Sequence, residues 1–217
     1  MLRHPYPLLT PCSVWLALAC VLTWSCAHGS DTTGPSTDGT AASGGSNTGG
    51  GGGTPAGCHL MVNEVQVGSS NSASDEFVEI LNSCPTSADL TGWTLVYRSK
   101  AGTSDVTLFS WDAGSIPGGG YVMIVGSAWS GTPQGDGTFA SGGLAADGGA
   151  VGLRNKSNAL ADSVGYGTAT NAFVEGSAAE APPNGSSIGR TPNGTDTDDN
   201  AADFTVFAAP TPKAPNG

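Results

Sequence analysis

The stretch Trp93-Thr94-Leu95-Val96-Tyr97-Arg98 decides the fold class, because large side chains recur in it at every second position. Successive side chains of an extended strand point to opposite faces, so Trp93, Leu95 and Tyr97 share one face and Thr94 lies on the other. The surrounding chain has 34 Gly and 14 Pro among 217 residues, and only 12% of its residues are charged. This composition is too rich in turn formers for a helical bundle and predicts a β-rich protein.

Seven further apolar segments flank this strand, and turn residues such as Asp147-Gly148-Gly149 separate them. None is long enough to indicate a helix, and short strands with turns at this spacing are typical of an antiparallel sandwich or barrel. Tyr121–Val125 is apolar on both faces, so we expect it in a central position of its sheet. The predicted strands are Leu60–Val67, Phe77–Asn82, Trp93–Arg98, Val106–Phe109, Tyr121–Val125, Ala150–Arg154, Asp162–Tyr166 and Phe204–Phe207.

Residues 1–26 have the pattern of an export signal. Arg3 precedes an apolar stretch, Val14–Trp24, and small or polar residues follow from Ser25 onward. This order is that of a secretory signal peptide. Its apolar core of about 11 residues is shorter than the roughly 20 that span a bilayer as a helix. The sequence therefore predicts an exported chain without a permanent transmembrane anchor.

Cys26 ends the apolar stretch and resembles the lipid-modified cysteine of bacterial lipoproteins, which becomes the first residue after cleavage. Cys20 is a second candidate, and an ordinary small-x-small cleavage site at Ser25 and Ala27 is the alternative. We favour lipid attachment at Cys26, which makes the membrane an expected partner. The expected location is the bacterial cell envelope, at the outer membrane or the cell surface.

Residues 27–57 are expected to form a disordered tether. The stretch Gly29–Gly57 has 11 Gly, five of them consecutive at Gly49–Gly53, and such a chain buries too little apolar surface to fold. Coil scaling gives it a reach on the order of 30 Å. Residues 58–217 follow, and they are sufficient for one domain with a sizeable core.

Cys58 and Cys84 are the two cysteines that lie beyond the leader and the linker. In an exported protein such a pair favours a disulfide. A structural zinc site needs about four ligands, and only His59 is available beside the two cysteines. The cross-link would enclose about 25 residues and stabilise the fold by about 3 kcal/mol.

The charge and the histidines argue against several classes of function. The chain has 7 Lys and Arg and 18 Asp and Glu, which gives a formal net charge of -11. A negative charge of this size repels the phosphate backbone of nucleic acid. The three His, at positions 4, 28 and 59, all precede the part of the chain that can pack a core. The domain therefore has almost no histidine that could serve in acid-base, nucleophilic or metal chemistry. We expect no nucleic-acid partner and no enzymatic activity.

Short motifs follow one another in order along the domain. They are Val62-Asn63-Glu64-Val65, Asp75–Ile80 with Asn82, Asp89-Leu90-Thr91-Gly92-Trp93 with Leu95, Ile116-Pro117 with Gly119-Gly120-Tyr121, Asp162-Ser163-Val164 with Tyr166-Gly167, Ser187-Ile188-Gly189-Arg190 and Asp196–Asn200. The series, from about Leu60 to Asn216, resembles the lamin tail domain of exported bacterial proteins. The resemblance implies an immunoglobulin-like antiparallel β-sandwich without catalytic residues, found alone on lipoproteins or fused to extracellular hydrolases.

Leu90 and Trp93 are predicted to anchor the core, since a large aromatic side chain contributes several kcal/mol of burial and fixes the packing of one sheet on the other. A tryptophan in a sugar-binding platform is the functional alternative. Trp111 and Trp129, which lie outside the clear strands, fit that role better than Trp93 does.

Glu64 is in phase with Leu60 and Val62, so its carboxylate is expected to point inward and to pair with backbone N-H groups or an Arg. Glu79 has a similar status on the next predicted strand. Two carboxylates on neighbouring strands could serve glycoside hydrolysis. We favour a structural pair, because no cleft aromatics or positioning polar residues accompany them.

The acidic residues Asp196, Asp198, Asp199 and Asp203 are the candidates for a metal site. Oxygen ligands at alternating positions of an extended loop suit Ca²⁺, which takes six to eight of them. The alternative, which we favour, is a solvated turn in which these side chains cap backbone N-H groups. Beyond Ca²⁺, the sequence indicates no cofactor.

Two hypotheses for the function remain open. The first is a non-catalytic, lipid-tethered surface module that binds a protein, glycan or matrix through loops at one end of the sandwich. The second is an accessory module that places a separately encoded extracellular hydrolase on its substrate or at the cell surface. The sequence identifies neither the ligand nor the oligomeric state.

Overall fold

A computed structural model describes residues 57–217, which form twelve β-strands and one short helix. Most strands have four to eight residues, and three have only two. The helix, α1, is Asn200–Asp203. The strands are β1 (Leu60–Val67), β2 (Glu76–Asn82), β3 (Ala88–Asp89), β4 (Thr94–Ser99), β5 (Val106–Ser110), β6 (Ser115–Ile116), β7 (Tyr121–Val125), β8 (Gly137–Thr138), β9 (Gly148–Arg154), β10 (Leu160–Gly167), β11 (Ser187–Arg190) and β12 (Phe204–Phe207).

Two sheets carry the fold. The larger has the order β12-β11-β1-β2-β7-β8, the smaller has the order β10-β9-β4-β5, and β3 and β6 form a separate ribbon. Neighbouring strands are antiparallel, except that β8 runs parallel to β7. The predicted all-β, immunoglobulin-like antiparallel β-sandwich is thereby confirmed.

The core lies between the facing surfaces of the two sheets. Val65 of β1 and its cross-strand partner Val78 of β2 contribute from the larger sheet, and Leu95 of β4 and Val151 of β9 from the smaller. Each of these four side chains is fully enclosed or nearly so. Complete burial of a Val or Leu side chain contributes about 1.5–3 kcal/mol, so this interface is the main source of stability.

A β-bulge in β1 changes which of its residues face the core. The register between β1 and β2 shifts between Val62 and Glu64, and a bulge of this kind inserts one extra residue. Val62 packs in the core before the bulge and Val65 packs there after it. Glu64 consequently loses its expected phase with Leu60 and Val62 and lies on the opposite face, directly across from Glu79.

Residues 208–217, which we call the C-terminal strap, cover this opposite face of the larger sheet. The Thr211 amide donates to Glu64, the Lys213 amide donates to Glu79, and Asn216 Nδ2 donates to the carbonyl oxygen of Asn63 (3.1 Å). Both faces of β1 are covered as a result, and all eight of its residues are buried.

Three predicted strands have the observed bounds, namely β1, β7 and β12. β7 lies between β2 and β8 and is therefore an internal strand, but it is the fifth of six rather than a central one. Its outer neighbour β8 has only two residues, so β7 lies close to the edge of the sheet rather than at its centre.

The predicted leader, residues 1–26 with Cys20 and Cys26, lies outside the described residues. So does the predicted linker, residues 27–57, except for Gly57. Between residues 57 and 217, no helix has the length and apolar character needed to cross a membrane.

Candidate functional site

Glu64 and Glu79 face each other on β1 and β2, and neither has any exposed surface. Glu64 accepts hydrogen bonds from the Ser187 hydroxyl of β11 and from the Thr211 amide of the strap (2.9 Å). Of the two expected kinds of partner, residues 57–217 supply a backbone N-H to Glu64 and no Arg. Burial raises the pKa of Glu64, and the three hydrogen bonds from Ser187 and Thr211 oppose this rise.

Glu79 accepts hydrogen bonds from Asn63 Nδ2 (3.0 Å) and from the Lys213 amide. Burial raises its pKa to about 7, and the nearby carboxylate of Glu64 adds to this rise. Both acids of a glycosidase pair must reach the scissile bond of a substrate. Here the strap covers them and uses them as hydrogen-bond acceptors, an arrangement that fits the structural role.

Arg190 of β11 is fully buried and links the two sheets. Its guanidinium pairs with Asp162 of β10 (2.9 Å), Asp203 of α1 (3.2 Å) and Asp196 (3.2 Å). Asp162 also accepts a hydrogen bond from the Val62 amide of β1 (2.6 Å). This network bonds β10 of the smaller sheet to β1 and β11 of the larger one.

Carboxylate oxygens of Asp162, Glu175 and Asp196 lie within 4.8 Å of one another, close enough to share a cation. Burial raises the pKa of Asp162 to about 6 and that of Glu175 to about 7. Burial also acts on Asp196, but Arg190 and His59 together hold its pKa below the ordinary value. The Arg190 guanidinium contacts two of these three acids, so the positive charge at this position is already supplied by the chain itself.

The four Ca²⁺ candidates face different partners. Asp196 belongs to the Arg190 network, and Asp203 accepts from the amide (2.8 Å) and hydroxyl (2.7 Å) of Thr197. Asp199 caps the N-terminus of α1, and Asp198 is exposed with a φ of 57°. The cap formed by Asp199 is a contact of the kind expected for a solvated turn, whereas Asp196 and Asp203 pair with the buried Arg190, and Asp203 is itself enclosed. Ca²⁺ binding at the turn stays a prediction.

Cys58 and Cys84 are joined by a disulfide, with their Cα atoms 4.8 Å apart. The neighbouring His59 donates its amide to Ser83 Oγ (2.9 Å), and its Nε2 lies 2.9 Å from Asp196 Oδ2. Residues 58 and 59 are thus bonded to the residues that follow β2 and to Asp196. This arrangement supports the disulfide rather than a zinc site.

Leu90 is buried in the core, and Trp93 is half-buried and packs against it; their role as anchors stays a prediction. Trp111 is also a core residue, at 7% exposure, and its ring meets Phe109 edge-on with centroids 4.9 Å apart. Trp111 is therefore enclosed and does not present a platform to solvent.

Trp129 is half-buried beside a surface groove of about 260 Å³. The groove lies where β1 and β7 end and where β2 and β11 begin, which is one end of the larger sheet. Its other walls include Gln66, Asp75, Ser130 and Pro210.

Sequence reasoning missed the polar members of this groove and the central role of Arg190. A signal for Arg190 was present, because this Arg ends the Ser187-Ile188-Gly189-Arg190 motif in a chain with only seven basic residues. Gln66 and Ser130 carry no comparable signal, since isolated amides and hydroxyls are common in loops and at strand ends.

Comparison with protein families matches residues 54–168 to the lamin tail domain. A search among curated proteins finds no match to the chain. The matched range ends at Thr168, within the loop after β10, whereas β11 and β12 of the same sandwich follow it. The match covers more than half of the chain, and the chain therefore belongs to the lamin tail domain family.

Proposed function

We propose that this protein is a non-catalytic lipoprotein of the bacterial cell envelope whose lamin tail domain binds an extracellular ligand. Cys26 carries the lipid, residues 27–57 form the tether, and residues 58–217 form the binding module. Domains of this family have an immunoglobulin-like fold without catalytic residues, which supports a binding or structural role.

The enclosure of Glu64 and Glu79 is the observation that carries the non-catalytic part of the proposal. Both carboxyls are fully buried beneath the strap and accept its backbone amides. A general acid and a nucleophile must contact the substrate, so these two groups could react only after the strap had left the sheet.

The groove beside Trp129 supports the binding part. It combines an aromatic side chain with a few polar groups at one end of a rigid sheet, and loops at the end of a sandwich commonly carry binding sites. The single observation that favours this end is that the walls come from four separate segments of the larger sheet and from the strap.

Membrane fractionation with metabolic labelling by a fatty-acid analogue tests the anchor. Cys26→Ser should abolish the labelling and release the protein from the membrane fraction, whereas the matched Cys20→Ser variant should keep both. Labelling that survives Cys26→Ser, or that is lost only in Cys20→Ser, would show that Cys26 is not the attachment site. Cross-linking on intact cells then identifies the partner, and recovery of a separately encoded hydrolase would show the accessory role instead.

A further inference from the structure

The contacts of Trp129 hold its indole ring in one orientation at the groove. The ring meets Phe77 edge-on, with centroids 5.3 Å apart and an interplanar angle of 77°. Its Nε1-H donates to the Pro133 carbonyl oxygen (3.1 Å). The Gly131 backbone packs against the six-membered ring, where an added Cβ would lie 2.4 Å from Cζ2. The indole N-H is therefore already used, and the side chain offers a ligand only apolar surface.

The polar groups of the groove are arranged to accept hydrogen bonds. The Asp75 carboxylate accepts from the Ser69 hydroxyl (2.6 Å), the Ser130 amide (3.0 Å) and the Ser130 hydroxyl (3.1 Å). Ser130 Oγ keeps two lone pairs that can accept hydrogen bonds from a ligand, whereas Ser69 Oγ, which also accepts from the Asn71 amide (3.1 Å), keeps one. The inner carboxylate thus orients two outer hydroxyls as acceptors.

Gln66 adds a further acceptor from the floor of the groove. It is 5% exposed, and its Nε2 donates to the Asp75 carbonyl oxygen (2.6 Å), which fixes the orientation of the amide. Among residues 57–217 no donor to Gln66 Oε1 is found. The Oε1 atom is not itself enclosed, so it is open at the groove and can accept from a ligand that brings a hydroxyl or N-H donor.

An acceptor-rich groove beside a fixed aromatic wall suits a neutral polyol with an apolar face. Anionic ligands are disfavoured, because Asp75 lines the groove and no Lys or Arg does so among the described residues. Cations are disfavoured as well, because Asp75 is only 4% exposed and three donors already satisfy its carboxylate. A ligand without hydrogen-bond donors, such as an acyl chain, would cover Gln66 Oε1 without satisfying it.

The volume of the groove limits the size of the ligand. About 260 Å³ lies below the roughly 300–1,000 Å³ of pockets that hold drug-sized molecules. The groove is therefore suited to one six-membered ring, whose C-H face can pack on Trp129 and on the Pro210 and Pro212 walls while its hydroxyls reach Gln66 and Ser130.

We propose that this groove is a carbohydrate site that holds one neutral pyranose ring of an extracellular polysaccharide. The proposal rests on the binding role proposed above and specifies its ligand. Trp129 supplies the stacking surface, and Gln66, Ser69 and Ser130 accept hydrogen bonds from ring hydroxyls.

Calorimetric titration and saturation-transfer NMR on the full chain in a zwitterionic detergent test this site. The probes are glucose, galactose and N-acetylglucosamine, their linear tetrasaccharides, and a tetrasaccharide of galacturonic acid as the anionic comparison. We expect binding of at least one neutral tetrasaccharide, with saturation transferred to ring C-H protons, and weaker or no binding of the galacturonate. If only the free monosaccharide binds, the ligand is a free sugar and the polysaccharide assignment is wrong.

Variants locate the binding. Trp129→Ala should weaken it by at least about tenfold, because the stacking surface is lost. Ser130→Ala removes one exposed hydroxyl and should weaken it by about two- to tenfold. Leu160→Ala, a control at an exposed apolar side chain on the smaller sheet, should leave it unchanged. If Trp129→Ala unfolds the domain, the Ser130→Ala variant alone shows whether the sugar binds in this groove.

Besides binding of the monosaccharide alone, three results would overturn the proposal: no binding of any neutral probe, equal binding in a folded Trp129→Ala or Ser130→Ala variant, or tighter binding of the galacturonate. Because the anchor is tested by labelling of Cys26 and the groove by titration, failure of one is distinguishable from failure of the other.

Discussion

Replacement of Arg190 by Met gives the most direct test of how the two sheets are held together. The side chain has no exposed surface, and its guanidinium bonds Asp162, Asp196 and Asp203 as well as the carbonyl oxygens of Val62 and Thr195. Met keeps most of the aliphatic volume but removes the charge and every donor.

The expected loss follows from the acids that remain. Asp162 and Asp203 have side chains that are 1% exposed, so without Arg190 they are buried without a cation. Removing one partner of a buried ion pair costs about 3–5 kcal/mol, a large share of the roughly 5–15 kcal/mol that stabilises a domain. At about 2–4 °C per kcal/mol for a domain of this size, Arg190→Met should lower Tm by about 6–20 °C.

The loss should also depend on pH. Burial raises the pKa of Asp162 to about 6 even though Arg190 opposes this rise, and without Arg190 the pKa should rise further. In the wild type Asp162 ionises above about pH 6 beside Arg190, whereas in the variant the carboxyl stays protonated to higher pH, so the deficit relative to wild type grows as the pH rises through about 6. Arg190→Met should therefore lose more stability at about pH 8 than at about pH 5.

Urea unfolding followed by circular dichroism measures both effects. Lys100→Met is the matched control, because Lys100 pairs with Asp147 at 3.4 Å where both side chains are mostly exposed, and it should cost less than about 1 kcal/mol. A loss below about 1 kcal/mol in Arg190→Met, or a loss that is the same at both pH values, would refute the role assigned to Arg190.

Three further predictions concern the other acids and the cysteines. Burial raises the pKa of Glu79 from 4.5 to about 7, so the stabilisation that comes from protonated Glu79 is lost as the pH rises through this range. Between about pH 5 and pH 8, the urea midpoint of Glu79→Gln should therefore fall less than that of the wild type. An equal fall in the two proteins would contradict this prediction. Without reductant, Cys58 and Cys84 should resist alkylation as mapped by mass spectrometry, and modification of both would exclude the disulfide. When chelator is replaced by millimolar Ca²⁺, we expect a small shift in Tm, and Mg²⁺ should produce the same shift. A rise in Tm that is selective for Ca²⁺ and is lost in an Asp198→Asn, Asp199→Asn double variant would establish a metal site.

The long strands were predictable because their pattern is local. β1 and β7 each have at least five consecutive residues of mostly apolar character, and their bounds match the prediction. β3, β6 and β8 have two residues each, too few to show a period of two, so only their pairing partners make them strands. β11 has four residues and contains Gly189, which weakens the strand signal further.

The orientation of Glu64 could not be predicted, because alternation holds only where the register is continuous. The bulge between Val62 and Glu64 shifts the alternation of inward and outward side chains by one residue. The sequence Val62-Asn63-Glu64 contains no Gly or Pro that would indicate a bulge. That Glu64 is buried at all depends on Thr211, which is 147 positions away. Long-range contacts of this kind leave no trace in a local pattern.

The segment after residue 168 is an integral part of the sandwich. Without β11, β1 would become an edge strand and would leave backbone groups unpaired. Without Arg190, Asp162 would be a buried acid without its cation, although Asp162 itself lies inside the matched range. Without the strap, Glu64 and Glu79 would lose their amide donors and the groove would lose its proline walls. The matched portion is therefore physically incomplete by itself, and the proposed sugar site exists only in the domain that continues to the C-terminus.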